Sequence, residues 1–390
     1  MIYTTNMIPR LAEKTLRRYA KGFPVICITG PRQSGKTTLA KLAFSEKPYI
    51  SLEDPDTALL ARTDPRGLLE TYPEGLILDE AQYVPELFIY LKTLVDRDSK
   101  PGKFIVTGSQ QFNLMEKVTE SLAGRAAFLT LLPFSLGELE AAALCGDDPF
   151  DLMLKGLYPP LYDRDISAYD FYAAYIASYV ERDLRQLVNV KDLGLFQLFI
   201  KFCAARSGNL LNLSALAVDC GITHNTARSW LSVLETSGLV FLLKPYFVNF
   251  GKRLVKTPKF YFTDTGLACR LLGIQNREQL FTHPLRGGLF EGFIISELLK
   301  NRLNRGMSPD LWFWRDNTGE EVDCLFQNNG GLHVMEIKSG KTFNEEMIRG
   351  LAQWQKTSGQ AGDCNLVYAG SQEAVVKGIR LVSWKGAAAL

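Results

Sequence analysis

Gly30-Pro31-Arg32-Gln33-Ser34-Gly35-Lys36-Thr37 follows the apolar run Val25-Ile26-Cys27-Ile28-Thr29 and opens a stretch of helical character from Lys36 to Phe44. A buried strand, a glycine-rich loop and a helix start, in that order, are the context in which the pattern G-x-x-x-x-G-K-[S/T] binds phosphate. Gly30 and Gly35 lack a Cβ, so the backbone can curl until several N–H groups face one anion. The helix N-terminus adds its partial positive charge at the same place. In such a loop Lys36 reaches the β- and γ-phosphates and the Thr37 hydroxyl is a ligand of Mg²⁺. Gly30, Pro31, Arg32, Gln33, Ser34, Gly35, Lys36, Thr37 and Thr38 are therefore expected to cradle ATP with Mg²⁺. The competing reading, a glycine turn followed by a chance Lys-Thr, leaves the flanking strand and helix unexplained.

Working outward, Leu76-Ile77-Leu78-Asp79-Glu80 is a buried run with two carboxylates at its C-terminal tip, about 40 residues beyond the loop. Beside a phosphate-binding loop, Asp79 is expected to hold the Mg²⁺ and Glu80 to orient and deprotonate the attacking water. The alternative is two solvated residues at a strand end. Phe104-Ile105-Val106-Thr107-Gly108-Ser109 repeats the pattern and ends in small hydroxyls. Ser109, or failing it Thr107, is the candidate for a polar group that senses the γ-phosphate; a plain turn is the alternative. Arg125 precedes a strand from Ala126 to Leu132 and is placed either as an arginine finger toward a neighbouring subunit or as an anchor within its own chain. Strands alternating with helices, among them one from Asn113 to Ala123, predict an α/β fold with a parallel sheet covered on both faces. The leader through Tyr19 reads as a basic helix (Arg10, Lys14, Arg17, Arg18) with a solvated face.

Residues 135–206 have helical character, and Tyr169, Phe171, Tyr172, Tyr175 and Tyr179 are expected to pack a core. Next, Leu213 to Ala217 starts a helix, Gly221-Ile222-Thr223 turns, and Thr223 is placed to cap a second helix from His224 to Thr236. A hairpin follows, completing the order of a winged helix-turn-helix. Asn225 and Arg228 near the start of the second helix are the candidates for DNA contact, with Lys252, Arg253 and Lys256 in a hairpin (Lys244 to Lys259) that has five basic residues and no acidic one. Tyr246, Phe247 and Phe250 interleave with those charges. The alternative is a winged helix that binds protein.

Leu289 to Leu303 reads as a helix with Phe290, Phe293, Ile294 and Leu298 on its apolar face, Glu297 within that face and Glu291 at its edge. A carboxylate pointing into a core needs a partner. Beyond a strand from Trp312 to Asp316, the strands Glu320–Gln327 and Leu332–Lys338 flank Asn328-Asn329-Gly330-Gly331. A type I′ turn at Asn329-Gly330 sets Phe326 opposite His333 and Asp323 opposite Glu336. Carboxylates placed opposite each other repel unless a cation lies between them. Asp323 and Glu336 are therefore candidates to hold a divalent ion, with Lys338 to position water. The same register sets Glu321 against Lys338, so a surface salt-bridge ladder is the bland alternative for the lysine.

A length of 390 residues favours two or three domains. With 46% hydrophobic and 22% charged residues the chain is of globular composition. A net charge of +2 means that any nucleic-acid surface is a local patch. No apolar run reaches the about 18 residues that span a bilayer, and no signal-peptide core is present. The seven scattered cysteines contain no C-x-x-C, and three distant histidines argue against a histidine-rich zinc site. A cytoplasmic location with no membrane partner is expected.

GPRQSGKTT (30–38), LILDEAQ (76–82), VTGS (106–109), LAGR (122–125), GLYP (156–159), YVERD (179–183), GLFE (288–291), VD (322–323) and EIKS (336–339) together resemble a family of bacterial and archaeal ATPases of the AAA+ superfamily. The likeness covers nearly the whole chain. It implies a P-loop ATPase core over 1–132, a helical lid over 133–207, a winged helix over 208–275 and a restriction-endonuclease-like α/β domain over 285–390. In that last fold a helix Glu, matched by Glu291, joins Asp323, Glu336 and Lys338 in a metal site. Cys324 departs from the aromatic or aliphatic residue usual there. The expectation is a DNA-associated, oligomeric ATPase with a Mg²⁺-dependent nuclease-like module. Its rival is a nucleotide-dependent switch that binds protein partners and whose C-terminal domain is silent.

Overall fold

Residues alternating along each strand of the first unit feed two cores, one on each face of a five-stranded parallel sheet. This computed structural model describes residues 7–109, 122–184, 192–246, 256–315, 319–328, 330–358 and 362–390. The chain divides into one unit of residues 1–134 with 236–238 and 302–308, and a second made of the remainder. In the first, the elements are α1 (Ala12–Tyr19), β1 (Val25–Thr29), α2 (Lys36–Ala43), β2 (Tyr49–Ser51), α3 (Pro55–Thr63), α4 (Pro65–Glu70), β3 (Ile77–Asp79), α5 (Leu87–Arg97), β4 (Phe104–Gly108) and β5 (Ala126–Thr130). The sheet order is β2-β3-β4-β1-β5, with parallel pairing throughout. Ile26, Ile28, Ile105 and Leu129 pack on α1 and α2, while Val25, Cys27, Leu78 and Val106 pack on α3, α4 and α5. Strands buried on both faces are near-continuous apolar runs for this reason. The expected helix from Asn113 lies mostly outside the described residues.

The second unit begins with short helices, each started by a polar cap or by proline. They are α6 (Leu136–Ala141), α7 (Pro149–Lys155), α8 (Pro160–Asp163), α9 (Ala168–Tyr175) and, after a π-helical turn over Ile176–Leu184, α10 (Leu193–Ala204). Phe171, Tyr172, Tyr175 and Tyr179 are core residues, as expected; Tyr169 lies at the surface under Arg270. Asp264 ties this layer together: it accepts from Leu157 N at 2.8 Å and Tyr172 Oη at 2.5 Å. The G-L-Y-P stretch thus has a packing role. The side chains of Glu181, Arg182 and Asp183 lie outside the described residues.

Then come β6 (Asn209–Leu210), α11 (Leu213–Asp219), α12 (His224–Thr236), β7 (Val240–Pro245), β8 (Lys259–Phe262), α13 (Thr265–Leu271), α14 (Arg277–Thr282) and α15 (Arg286–Asn304). The chain ends with β9 (Trp312–Arg315), β10 (Glu321–Asn328), β11 (Gly331–Lys338), α16 (Arg349–Ser358), β12 (Asp363–Tyr368), β13 (Ala374–Val376) and β14 (Ile379–Ser383). One nine-stranded sheet runs β13-β14-β12-β11-β10-β9-β7-β8-β6. The winged helix is expected over 208–275 and the next domain over 285–390. The hairpin strand β7 pairs in parallel with β9, Lys244 beside Trp312, so the two stretches share a sheet. Edge strands left bare invite pairing, and β7 uses its free edge in this way. The β10–β11 register matches expectation, with Phe326 opposite His333 and Asn328 opposite Gly331. Asn329 and Asp316 lie outside the described residues.

Candidate functional site

The loop between β1 and α2 adopts the backbone that its glycines permit. Gly30 has φ 144°, and a Cβ there would lie 2.0 Å from the Leu131 carbonyl oxygen, so no other residue fits. Gly35, at φ 94°, starts α2 from the left-handed region. Lys36 is buried and donates to the carbonyls of Gly30 at 3.1 Å and Pro31 at 2.9 Å. Burial pulls its ammonium below the ordinary lysine value, against the opposing charges of Glu80 and Asp79. Arg32 pairs with Glu53 at 3.0 Å, and Gln33 and Thr38 are exposed.

Asp79, at the tip of β3, gathers three hydroxyls. Thr37 Oγ1 donates to Oδ1 at 2.8 Å, Tyr49 Oη to Oδ2 at 2.8 Å, and Thr107 Oγ1 also donates to Oδ1. Thr107 Oγ1 in turn accepts from the Glu80 backbone N–H at 3.2 Å. Glu80 follows at φ 52°, a left-handed conformation uncommon outside glycine that aims its side chain across β4. Its carboxylate accepts from Ser109 Oγ at 2.9 Å and from Gln82. Burial alone would lift this carboxyl, but the Lys36 charge and these hydrogen bonds outweigh it and leave it below the ordinary glutamate value. β4 lies between β1 and β3. The hydroxyls in and just after it are both used: Ser109 contacts Glu80, and Thr107 contacts Asp79.

Arg10 was expected on a solvated face and is instead buried. It donates to the Ser34 carbonyl in the loop at 2.7 Å and to the Leu132 carbonyl after β5 at 2.7 Å, with its guanidinium over Phe134. Lys14, Arg17 and Arg18 are exposed, as expected. No local pattern separates Arg10 from its neighbours; only tertiary docking does. Tyr49, also missed, sits in a strand where aromatics are ordinary. Arg125 pairs through Nε with Asp96 of its own chain.

A second cluster lies in the other unit. Glu291 from α15 and Glu321 and Asp323 from β10 bring carboxylate oxygens within 4.8 Å of one another. A bulge between β9 and β10, over Val322 to Leu325, re-aims this part of the strand. Two of the expected acids, Glu291 and Asp323, are thus together, and Glu321 is an addition. Glu336 lies beside the trio and not within it, paired with Lys338, which also lies 3.5 Å from Asp323. The alternative Glu321–Lys338 ladder does not form: Glu321 pairs with Arg315 at 3.1 Å and with Lys259.

Lys259 was counted among the basic residues of the hairpin. It is instead buried, 3% exposed, with Nζ 2.7 Å from Glu291, paired with Glu321 and 3.8 Å from Asp323. An extended strand points alternate side chains to one face, so Lys259 and Tyr261 of β8 both reach Glu291. Despite burial, the carboxylates Glu291, Asp323 and Glu321 hold the Lys259 ammonium well above its ordinary value. Burial, against the pull of Lys259, lifts Glu291 to about 7, and burial with the charge of Asp323 lifts Glu336 to about 8. Glu297, fully buried, finds its partner in Lys300 at 2.7 Å and in the Leu136 N–H at 2.6 Å.

Thr223 caps α12 as expected, its hydroxyl accepting from Thr226 N at 3.1 Å. Asn225, Arg228, Lys244 and Lys256 are exposed, whereas Phe247, Phe250, Lys252 and Arg253 lie outside the described residues.

A sequence profile described as an AAA domain matches residues 22–140, and profiles described as domains of unknown function match 146–278 (DUF8612) and 286–385 (DUF4143). The uncharacterized proteins Rv2008c of Mycobacterium tuberculosis and Mb2031c of Mycobacterium bovis are each 34% identical over 341 residues, 85% of this chain and 74% of theirs. The chain belongs to their family. It carries an AAA domain, and with it the capacity to bind and hydrolyse ATP. Among solved structures it is similar to the Walker-type ATPase PABY2304 of Pyrococcus abyssi, with a TM-score of 0.43 at 18% identity, covering 69% of this chain and 97% of that one. The RuvB Holliday junction branch migration motor of Thermotoga maritima follows at a TM-score of 0.30 and 18% identity, over 59% and 86%. Likenesses this loose carry no argument. Among the described residues no helix is long and apolar enough to cross a membrane.

Proposed function

We propose that the loop from Gly30 to Thr38 holds MgATP and that Glu80 activates water for its hydrolysis. The observation that carries this reading is the 2.8 Å contact of Thr37 with Asp79, which joins the loop to β3. A hydroxyl and a carboxylate are the hard oxygen donors that Mg²⁺ takes, so the pair fits the ion. When bound, the ion offsets charge on the phosphates. Lys36 sits over the loop mouth to bind phosphate oxygens. Thr107 and Tyr49 orient Asp79, while Ser109 and Gln82 orient Glu80. Held by hydroxyls and an amide, Glu80 keeps the charge that a general base needs.

The exposed Asn225, Arg228 and Lys256 and the capped α12 support a winged helix that contacts DNA, within an oligomer to which Arg125 contributes after leaving Asp96. A second reading is favoured by Lys259. With an ammonium among its acids the C-terminal unit does not fit a Mg²⁺-dependent nuclease, which supports a nucleotide switch read out by partners. The steady-state ATPase rate with and without duplex, forked and single-stranded DNA, beside Glu80→Gln, separates the two. Several-fold stimulation by DNA, abolished in Glu80→Gln, supports DNA-coupled work. A rate indifferent to every DNA favours the switch, and no hydrolysis above that of Glu80→Gln overturns both.

A further inference from the structure

Four carboxylates converge at one end of β10 and β11, and three cations face them. Lys259 meets Glu291, Glu321 and Asp323; Lys338 meets Glu336 and Asp323; Arg315 meets Glu321. The first trio has the spacing of a cation site, and the point where its oxygens converge is taken by Lys259 Nζ. That lysine is set in place by backbone as well as charge. It opens β8, pairs in register with Leu243 of β7 and Leu210 of β6, and its Nζ lies 5.6 Å from the centre of the Phe313 ring.

A second observation points to a ligand position beside it. Glu336 Oε2 is buried and has no hydrogen-bond partner. Glu336 is 7% exposed and lines a cavity of about 460 Å³ with Glu321, Lys338, Asn344 and Arg349. A buried carboxylate oxygen without a donor is costly and calls for a partner.

We propose that Lys259 is a tethered cation standing in the place of a divalent metal, so that this acidic site is closed to Mg²⁺ and Mn²⁺ while β8 stays paired. Two cations cannot share the trio without strong repulsion at low local dielectric, so metal and ammonium exclude each other. The exchange is a competition. Removing the ammonium leaves three carboxylates at cation spacing and Glu336 Oε2 nearby, a donor set of hard oxygens that suits Mn²⁺ or Mg²⁺. Lys259 of β8 is thereby a latch on the site, and whatever shifts β8 opens it. This inference rests on the second unit alone and is independent of the ATPase reading.

The test is Mn²⁺ binding by the full chain without nucleotide, followed by the electron paramagnetic resonance of free Mn²⁺. Wild type, Asp323→Asn, Lys259→Met and Lys259→Met with Asp323→Asn are compared, so that any binding at the phosphate loop cancels. Wild type is expected to show no site that depends on Asp323. Lys259→Met is expected to gain one, at least tenfold tighter than anything Asp323-dependent in wild type, and to lose it in the double variant. Lys259→Gln, which keeps a donor for Glu291, carries the same expectation and serves if the methionine variant is unstable. An Asp323-dependent Mn²⁺ site already present in wild type overturns the proposal, as does a folded Lys259 variant that gains none. The wild-type arm decides even if neither variant folds.

Discussion

The chain twice places carboxylates at strand ends beside a buried lysine, and the two places solve the same electrostatic problem in opposite ways. At the tip of β3, Asp79 and Glu80 are held by neutral donors, namely the hydroxyls of Thr37, Tyr49, Thr107 and Ser109 and the amide of Gln82. Lys36 turns to carbonyls instead. On β10, Asp323 and Glu321 are held by ammonium and guanidinium groups. Hydroxyls orient a carboxylate without cancelling its charge, so it can still attract an ion or a proton. An ammonium cancels it. The same residue types thus give a site poised for chemistry in one unit and a self-neutralised one in the other.

The largest expected effect breaks the first half of that comparison. Glu80→Gln should lower the ATPase turnover by about 100-fold or more while leaving ATP affinity nearly unchanged, whereas Lys36→Ala should lose affinity as well. Turnover alongside fluorescent-nucleotide binding separates the two. Equal losses of binding in both variants would make Glu80 a structural residue.

Next in size is a contrast between the two lysines. Without added metal, Lys259→Met should cost about 3–5 kcal/mol, because it strands buried carboxylates. Lys36→Met should cost less, about 1–3 kcal/mol, since it leaves two carbonyls short of a donor and takes a charge from beside Glu80 but also relieves the burial of an ammonium. Urea unfolding of both variants checks this, and comparable losses would erase the distinction drawn here. Arg10→Ala should be milder, about 1–3 kcal/mol, with a raised KM for ATP because Ser34 loses its brace. Arg10→Lys should not rescue it, since one ammonium cannot fork to two carbonyls in fixed geometry.

The smallest effect is one of pH. With Glu336 lifted from 4.5 to about 8, the unfolded chain releases a proton that the folded chain keeps across that window. Stability therefore falls as pH rises from about 4.5 toward 8 and levels beyond. Glu336→Gln should reduce this slope, by a few degrees of Tm, leaving the share of Glu291, lifted to about 7. A wild-type Tm that rises across the window as steeply as the variant's would contradict the assignment.

Where a motif is contiguous, its local geometry was legible. The loop from Gly30 to Thr37, the Asp79-Glu80 tip, the Thr223 cap and the β10–β11 register all follow from neighbours in sequence, because hydrogen bonding and side-chain alternation act over a few residues. The misplaced residues share a different property. Arg10 looked like Lys14 and Arg17, and Lys259 looked like Lys244 and Lys256; in each pair the local pattern is the same and burial is opposite. Register offered Glu321 the lysine across the hairpin as one alternative, but a lysine from another strand reached it.

Local pattern alone set a glycine-rich loop before a helix, two carboxylates at the end of a buried strand, and Asp323 and Glu336 as cross-strand neighbours. Only the tertiary structure decided which cation each buried carboxylate meets. Lys259 reaches the trio because β7 docks on β9 and carries β8 with it, Lys244 pairing with Trp312 and Pro245 with Phe313, each 68 residues apart in the chain. The energy of a charge pair depends on distance and burial and not on sequence separation, so a partner of this kind leaves no local trace.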